Sequence, residues 1–157
     1  MTVTGDPGVI AEFWNQARGA LNDAPEDVPE AWAFGATVAH ADELLALVRD
    51  GIKTGTASSI WDYEHTGDPL PQVGEYSIIL DGEGAPQVII RTTVLDVVPF
   101  DEVGEEHARS EGEDDRTLAS WRRIHEWYWT NHSESPRGFA PDMPVLCERF
   151  ELVFPRA

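Results

Sequence analysis

One stretch of the chain concentrates side chains that could do chemistry: Gly51-Ile52-Lys53-Thr54-Gly55-Thr56-Ala57-Ser58. Lys53 is the only lysine among 11 lysine and arginine residues, and hydroxyl side chains follow it at positions 54, 56 and 58. Such an amine can activate a nucleophile, or it can bind a carbonyl or phosphate group as a fixed charge. The alternative is a surface lysine in a chain whose composition favours arginine, and composition alone does not decide between the two.

Aromatic and basic side chains further along the chain could complete a binding site. Trp61 and Tyr63 follow the lysine stretch closely, and rings beside a cation suit the stacking of nucleobases, at roughly 1–3 kcal/mol per base. Ordinary core filling is the alternative for both rings. Arg149, in the last apolar segment, either faces a ligand or pairs with a carboxylate such as that of Glu148.

Other kinds of site leave no recognisable pattern. Residues 101–115 are acidic but lack the ligand spacing of a calcium loop, so we interpret them as an irregular, solvated loop and predict no metal and no other cofactor. The five histidines lack zinc-ligand spacing, and we interpret His125 as a packed helix-face residue. Cys147 lies among apolar residues, which favours a buried small side chain over a nucleophile.

The net charge of −18 argues against one class of partner. Proteins that bind nucleic acids usually carry a basic surface, because the release of counterions from the phosphates drives binding. We therefore predict no binding of duplex DNA. A nucleoside, or a short single strand of RNA in a local basic pocket, is compatible with the charge.

Length and composition predict one globular domain. The 157 residues are 41% hydrophobic and include six Trp and six Phe, enough for a core. The first residues do not resemble a signal peptide, and no apolar stretch approaches the ~20 residues that span a bilayer, so we expect no membrane association. A single cysteine cannot form an internal disulfide, and we expect a cytoplasmic protein. The sequence does not indicate an oligomeric state.

Hydrophobic periodicity predicts helices at about residues 7–22, 40–50 and 116–131. Extended structure is predicted from Lys53 to about residue 60, and strands at 76–80, 87–98 and about 145–154. Several strands with interspersed helices predict an α+β domain, a small β-barrel with helices packed outside. The lysine stretch then follows the second helix directly, where Gly51 suits a helix-ending position with positive φ.

Three blocks of the sequence resemble the ASCH-domain family, a group of PUA-like β-barrels linked to RNA. The blocks are residues 51–58, 108–122 and 142–150, together with a strand entry at 73–77. The resemblance covers about residues 30–154 and implies a single PUA-like domain, 1–157. Residues 1–29 are then an N-terminal helical extension and loop.

The resemblance also implies an activity and a site. Small ASCH proteins can hydrolyse acetylated cytidine with a Lys, a Thr three residues later and a downstream Glu, which fall here on Lys53, Thr56 and Glu111. The implied function is hydrolysis of an acylated cytidine-like nucleoside, and the three side chains are expected to line one concave pocket. The side chains expected to bind the substrate are Thr54, Ser58, Trp61, Tyr63 and Arg149.

The implied chemistry leaves alternatives open. As a base, Lys53 would need its pKa lowered by roughly 3 units, at a cost of about 4 kcal/mol, and an ionised Glu111 would oppose that shift. Glu111 would therefore have to be protonated or held away from Lys53, and it would serve as general acid to the leaving amine. Otherwise Lys53 stays charged and binds a carbonyl or phosphate. An RNA-binding protein or ribonuclease that uses the same cleft, and a non-catalytic module that binds a modified nucleotide, are the alternative functions.

Overall fold

A computed structural model of the protein describes residues 3–155, which form two compact units. Unit 1 contains the described residues up to 51, residues 74–92 and those from 150 onward; unit 2 contains residues 52–73 and 93–149. No helix within residues 3–155 is both long and apolar enough to cross a membrane.

The described residues form five α-helices and five β-strands. The helices are α1 (Pro7–Arg18), α2 (Val38–Arg49), α3 (Ile60–Thr66), α4 (Glu105–Glu111) and α5 (Leu118–His132). The strands are β1 (Ala31–Trp32), β2 (Gly55–Ser59), β3 (Tyr76–Leu80), β4 (Pro86–Pro99) and β5 (Pro144–Phe154). The α+β class predicted from the sequence is confirmed.

The strands form one sheet in the order β1-β3-β4-β5-β2. Strands β4 and β5 each have residues in both units. Antiparallel pairing places Ser77 opposite Ile90 in unit 1 and Thr56 opposite Glu148 in unit 2. The order of the described strands begins at β1 and ends at β2, so closure into a barrel stays a prediction.

Side-chain caps and apolar stripes explain the helices of unit 1. The Asp6 carboxylate accepts hydrogen bonds from the first free N–H groups of α1, and Pro7 occupies the first turn, where no N–H is needed. Thr37 caps α2 in the same way. The buried side chains of these two helices lie three and four positions apart: Trp14 and Ala17 in α1, and Ala41, Leu44, Leu45 and Val48 in α2.

An aromatic core fills unit 2. Thr117 caps α5, and Trp121, His125 and Trp129 follow at intervals of four residues, so they share the buried face of that helix. Trp121 stacks on Phe100, with ring centroids 5.3 Å apart. The other buried members of this core are Trp61, Val103, Ala108, Met143, Val145 and Cys147.

The structure corrects the predicted elements at one important place. Residues 101–115 are not wholly irregular: Glu105–Glu111 form α4, which ends at Gly112 with φ +73°. The buried residues of α4 include His107, Ser110 and Glu111, and this mostly polar face carries no hydrophobic periodicity that the sequence could reveal. Helix α3 and the short strand β1 were also not predicted.

Gly55 allows a close approach of β2 and α4, which gives a test of the packing in unit 2. A Cβ at Gly55 would lie 2.2 Å from Ser110 Oγ and 3.1 Å from the Glu148 carbonyl oxygen. We expect Gly55→Ala to lower the free energy of unfolding by about 1–3 kcal/mol through overpacking, measured by urea denaturation. Gly19→Ala is the matched control, because its Cβ meets nothing closer than 3.9 Å; equal stability of the two variants would contradict the close packing.

Candidate functional site

Lys53 is buried, with 2% of its surface exposed. Its amino group donates hydrogen bonds to the carbonyl oxygens of Gly55, at 2.9 Å, and Glu111, at 3.3 Å. Two carboxylates also lie close to Nζ: Glu111 Oε1 at 3.8 Å and Glu113 Oε2 at 3.9 Å. The lysine is therefore fixed in position by its surroundings and is not a surface residue.

Glu111, the last residue of α4, accepts hydrogen bonds from side chains of both α4 and α5. Its Oε2 accepts from His107 Nε2 at 2.7 Å and from Trp121 Nε1 at 2.5 Å. Its Oε1 lies 3.3 Å from His125 Nε2. His107 precedes Glu111 by four residues, and Trp121 precedes His125 by four, so each helix presents two of these side chains on one face.

The surroundings keep Glu111 ionised. Burial by itself raises the pKa of this carboxyl, but the charge of His125, hydrogen bonds from His107 and His125 and the charge of Lys53 together hold it well below its usual value. Burial lowers the pKa of His125, whereas the charge and hydrogen bond of Glu111 and the charge of Glu113 raise it, and the net direction is upward. Each of these two side chains therefore favours the charged form of the other.

The predicted approach of Lys53 and Glu111 is observed, but the chemistry expected of the pair is constrained. A general acid must carry a proton, whereas the contacts of Glu111 stabilise its ionised form. The two nearby carboxylates likewise stabilise the Lys53 ammonium. The geometry therefore fits the alternative in which Lys53 stays charged and binds an oxygen atom.

Thr56 is placed differently from Lys53 and Glu111. It is half-buried in β2 and stands directly opposite Glu148 in β5. The neighbouring Gly55 faces Ser110 of α4, and successive residues of a strand point to opposite faces of the sheet. The Thr56 side chain is thus directed to the other face of β2, and its role as a nucleophile stays a prediction.

Two more of the predicted substrate-binding residues, Thr54 and Ser58, follow the lysine in the chain. Thr54 is exposed, and its backbone N–H donates to the Ser110 carbonyl oxygen at 2.7 Å. Ser58 is half-buried in β2, opposite Leu146. Because it lies two positions after Thr56, Ser58 shares the face of β2 that carries Thr56.

The remaining predicted contacts are spread through unit 2. Trp61 is buried in the aromatic core, and the Arg137 guanidinium lies 3.8 Å from its ring centroid, which favours the core-filling alternative. Tyr63 is half-buried in α3. Arg149 lies opposite Gly55, with Nη2 3.8 Å from Glu106 Oε1, as a carboxylate partner would require.

Three side chains of the cluster could in principle hold a metal ion. Ligand atoms of Glu111, Glu113 and His125 all lie within 4.8 Å of one another. However, the Lys53 amino group lies within 4 Å of both carboxylates and would repel a divalent cation. The chemistry of this donor set therefore fits a cluster of paired side chains better than a metal centre.

His107 and Trp121 belong to the cluster, although the sequence did not single them out as site residues. A signal was present, because each stands four residues before another cluster member on a helix. The Cys147 thiol is buried, and burial followed by the charge of Glu111 raises its pKa to about 12, so it stays protonated. This supports the interpretation of Cys147 as a small core side chain.

The comparisons agree with the resemblance found in the sequence. The model of the ASCH domain family matches residues 30–154. The crystal structure of an ASCH domain from Lactobacillus crispatus JV V101 has a TM-score of 0.82 and 26% identity, covering 91% of this chain and 93% of that one. Protein EF3133 from Enterococcus faecalis V583 has a TM-score of 0.82 and 35% identity, covering 93% and 88%. No curated protein matches the chain.

The Glu111 contacts predict a large, pH-dependent effect of Glu111→Gln. The substitution leaves buried cations uncompensated, and we expect it to lower the free energy of unfolding by about 3–5 kcal/mol at neutral pH. Because the pKa of Glu111 is lowered on folding, its contribution is full above the ordinary value of 4.5 and is lost as pH falls through the lower folded value. Denaturant unfolding across acidic pH should therefore show the difference from wild type shrinking.

The exposed Glu126 of α5 provides the control for this measurement. Glu126→Gln should change the stability by less than about 0.5 kcal/mol at any of these pH values. A difference between Glu111→Gln and wild type that stays constant down to the lowest pH would contradict a carboxylate that is ionised in the folded protein.

Proposed function

The chain belongs to the ASCH domain family, and from this premise we propose that it binds a nucleoside or a short single strand of RNA at the Lys53–Glu111 cluster. We further propose that it hydrolyses the acyl group of an acylated cytidine-like nucleoside. ASCH domains are associated with RNA binding, which supports a nucleoside or a short RNA as the class of ligand.

The buried Lys53 amino group, fixed between two carboxylates, is the observation that carries the proposal. Buried charges are costly, and unit 2 surrounds this one with two carboxylates and two carbonyl oxygens. Ionisable groups whose pKa values are strongly shifted are more frequent at functional sites, and Glu111 and His125 both have shifted values. Burying these charged groups costs stability, and binding of a ligand by the cluster would explain why they are retained.

Glu113 marks the side from which a ligand approaches. Its side chain is 15% exposed, whereas those of Lys53 and Glu111 are 1% and 2% exposed. Thr54, which follows Lys53 in the chain, is also exposed. A ligand that comes in on this side meets Glu113 first and reaches the amine by displacing part of that contact.

In hydrolysis, we propose that the Lys53 ammonium stabilises developing charge. When water adds to the acyl carbon, the carbonyl oxygen becomes negative, and one preorganised donor at such an oxygen is worth about 10²–10³ in rate. The bond from the acyl carbon to the amino nitrogen of the base then breaks. The acyl group leaves as a carboxylic acid containing the water oxygen, and a proton from the water passes to the nitrogen.

Thr56 is not the nucleophile in this scheme. Its direction in β2 makes water the simpler attacking group for a carbonyl held at Lys53. A Thr56→Val substitution removes the hydroxyl and keeps the shape. Retention of hydrolysis in that variant is expected if water attacks, whereas complete loss would restore the nucleophile role that the family resemblance implies.

A non-catalytic binding module is the second candidate, and one observation favours it. Neither Lys53 nor Glu111 is a free acid or base, because each is paired inside the cluster. The same arrangement can hold the carbonyl of a modified base without any bond being broken. The difference between the two functions is therefore whether products form.

Incubation with acetylated and plain nucleosides, followed by chromatography, tests the proposed hydrolysis. We expect acetylated cytidine to give cytidine and acetate. Lys53→Met should lower the rate on the order of 10²-fold, and Lys53→Arg should keep more activity because it retains the charge. Equal loss in both folded variants would favour the base role for Lys53.

Exposed Arg109 of α4 gives the control Arg109→Met, which should retain full turnover. Tight binding of acetylated cytidine by the wild type without any product would leave the binding module as the function. Neither binding nor product for any nucleoside or short strand in the panel would contradict the proposal as a whole.

Polyanions should bind weakly at physiological salt. A net charge of −18 opposes association with duplex DNA and with long RNA through like-charge repulsion. Fluorescence anisotropy with labelled duplexes and long single strands should therefore show no saturation at concentrations that saturate with a nucleoside ligand. Tight binding of generic RNA would instead support the RNA-binding or ribonuclease alternative.

A further inference from the structure

We infer that His125 is held as an imidazolium and serves as the second cation of the Lys53–Glu111 cluster. It is a positioning residue that holds Glu111 and Lys53 in place, and it loses this role when rising pH removes its proton. This inference rests on the proposed function of the site for its effect on a ligand. The protonation of His125 can be tested by itself.

Both ring nitrogens of His125 face oxygen atoms that only accept hydrogen bonds. Nδ1 lies 2.8 Å from the backbone carbonyl oxygen of Trp121. Nε2 lies 3.3 Å from Glu111 Oε1, which belongs to an ionised carboxylate. A neutral imidazole has one N–H and can satisfy only one of these acceptors, whereas an imidazolium satisfies both.

His107 contacts the same carboxylate but does not need a charge to do so. Its Nε2 lies 2.7 Å from Glu111 Oε2, and one N–H on that nitrogen is sufficient for the contact. Of the two cluster histidines, His125 is therefore the one that has an acceptor oxygen at both ring nitrogens.

A protonated His125 matches the cations of the cluster to its carboxylates. Lys53 and His125 then provide two cations for the carboxylates of Glu111 and Glu113. Cys147 of β5 is also affected by the charge of Glu111, but its thiol remains protonated because burial, followed by that charge, raises its pKa to about 12. Loss of the His125 proton would leave one uncompensated negative charge inside unit 2, which is costly.

The ring of His125 is also fixed by its neighbours on α5. It stacks on Trp121 with centroids 4.3 Å apart and planes at 19°, and it lies 5.3 Å from the Trp129 ring. Trp121 in turn donates its Nε1–H to Glu111. A cation over an indole ring is favourable, so the charge and the stacking support the same orientation.

The direction of the pH effect follows from the raised pKa of His125. Burial lowers this pKa, but the charge and hydrogen bond of Glu111, then Glu113, more than compensate. The contribution of His125 to stability is therefore full below the ordinary value of 6.5 and is lost as pH rises through the raised folded value. Lys53 is then the one remaining cation for the carboxylates of Glu111 and Glu113, so the charges around its amine no longer balance.

Nuclear magnetic resonance of the histidine rings tests the protonation directly. In ¹H–¹⁵N spectra recorded just above pH 6.5, His125 should show both nitrogens protonated. His125→Gln assigns the signal by its disappearance. A neutral tautomer of His125 at that pH would overturn the inference, whether or not any substrate is known.

The positioning role has its own readout. His125→Gln keeps a side-chain N–H donor and removes the charge. The loss of stability that we expect for wild type as pH rises above 6.5 should therefore become shallower in this variant. On the acylated nucleoside, turnover should fall on the order of 10²-fold through misplacement of Lys53, with His132→Gln as the unaffected control. Wild-type pH dependence of unfolding in His125→Gln would contradict the role, while absence of hydrolysis in wild type would contradict only the proposed function.

Discussion

The ionised carboxylate of Glu111 is the group on which the arrangement of unit 2 depends. Hydrogen bonds reach it from His107 on α4 and from Trp121 on α5, while His125 and Lys53 provide positive charge. A buried carboxylate destabilises a fold unless such partners are all present. The elements that supply them are therefore constrained to meet at this point, and the site and the core are stabilised together.

Several elements could be predicted from the sequence because their buried faces are apolar. The stripe of α2 and the β-branched runs of β3, β4 and β5 bury hydrophobic side chains at the periods that define helices and strands. Helix α4 could not be found in this way. Its seven residues bury His107, Ser110 and Glu111, so the pattern that guides prediction is absent where the polar cluster is built.

The site was predictable in part, through Lys53 and Glu111, which the family resemblance brought together. The partners of Glu111 depend on how α4 and α5 pack, which no local pattern encodes. Thr56 differs from the prediction for another reason, which is the direction of its side chain. In an extended chain, residues three positions apart point to opposite faces, and the Lys-x-x-Thr spacing alone therefore argues against both side chains facing one α-helix. The face that Thr56 takes follows from its neighbour Gly55, which faces Ser110 of α4.

The charges of the cluster also bear on what kind of ligand it can take. The chain carries −18 overall, yet its single lysine is buried between carboxylates and is unavailable to attract a distant polyanion. With His125 protonated, the cluster has no net charge, so its attraction for a ligand comes from directed hydrogen bonds at short range. A neutral carbonyl satisfies such donors without bringing a second charge into a buried site, whereas a phosphate would need further compensation. For the ligand binding proposed at Lys53, this difference favours the acyl group of a nucleoside over the backbone of a long RNA.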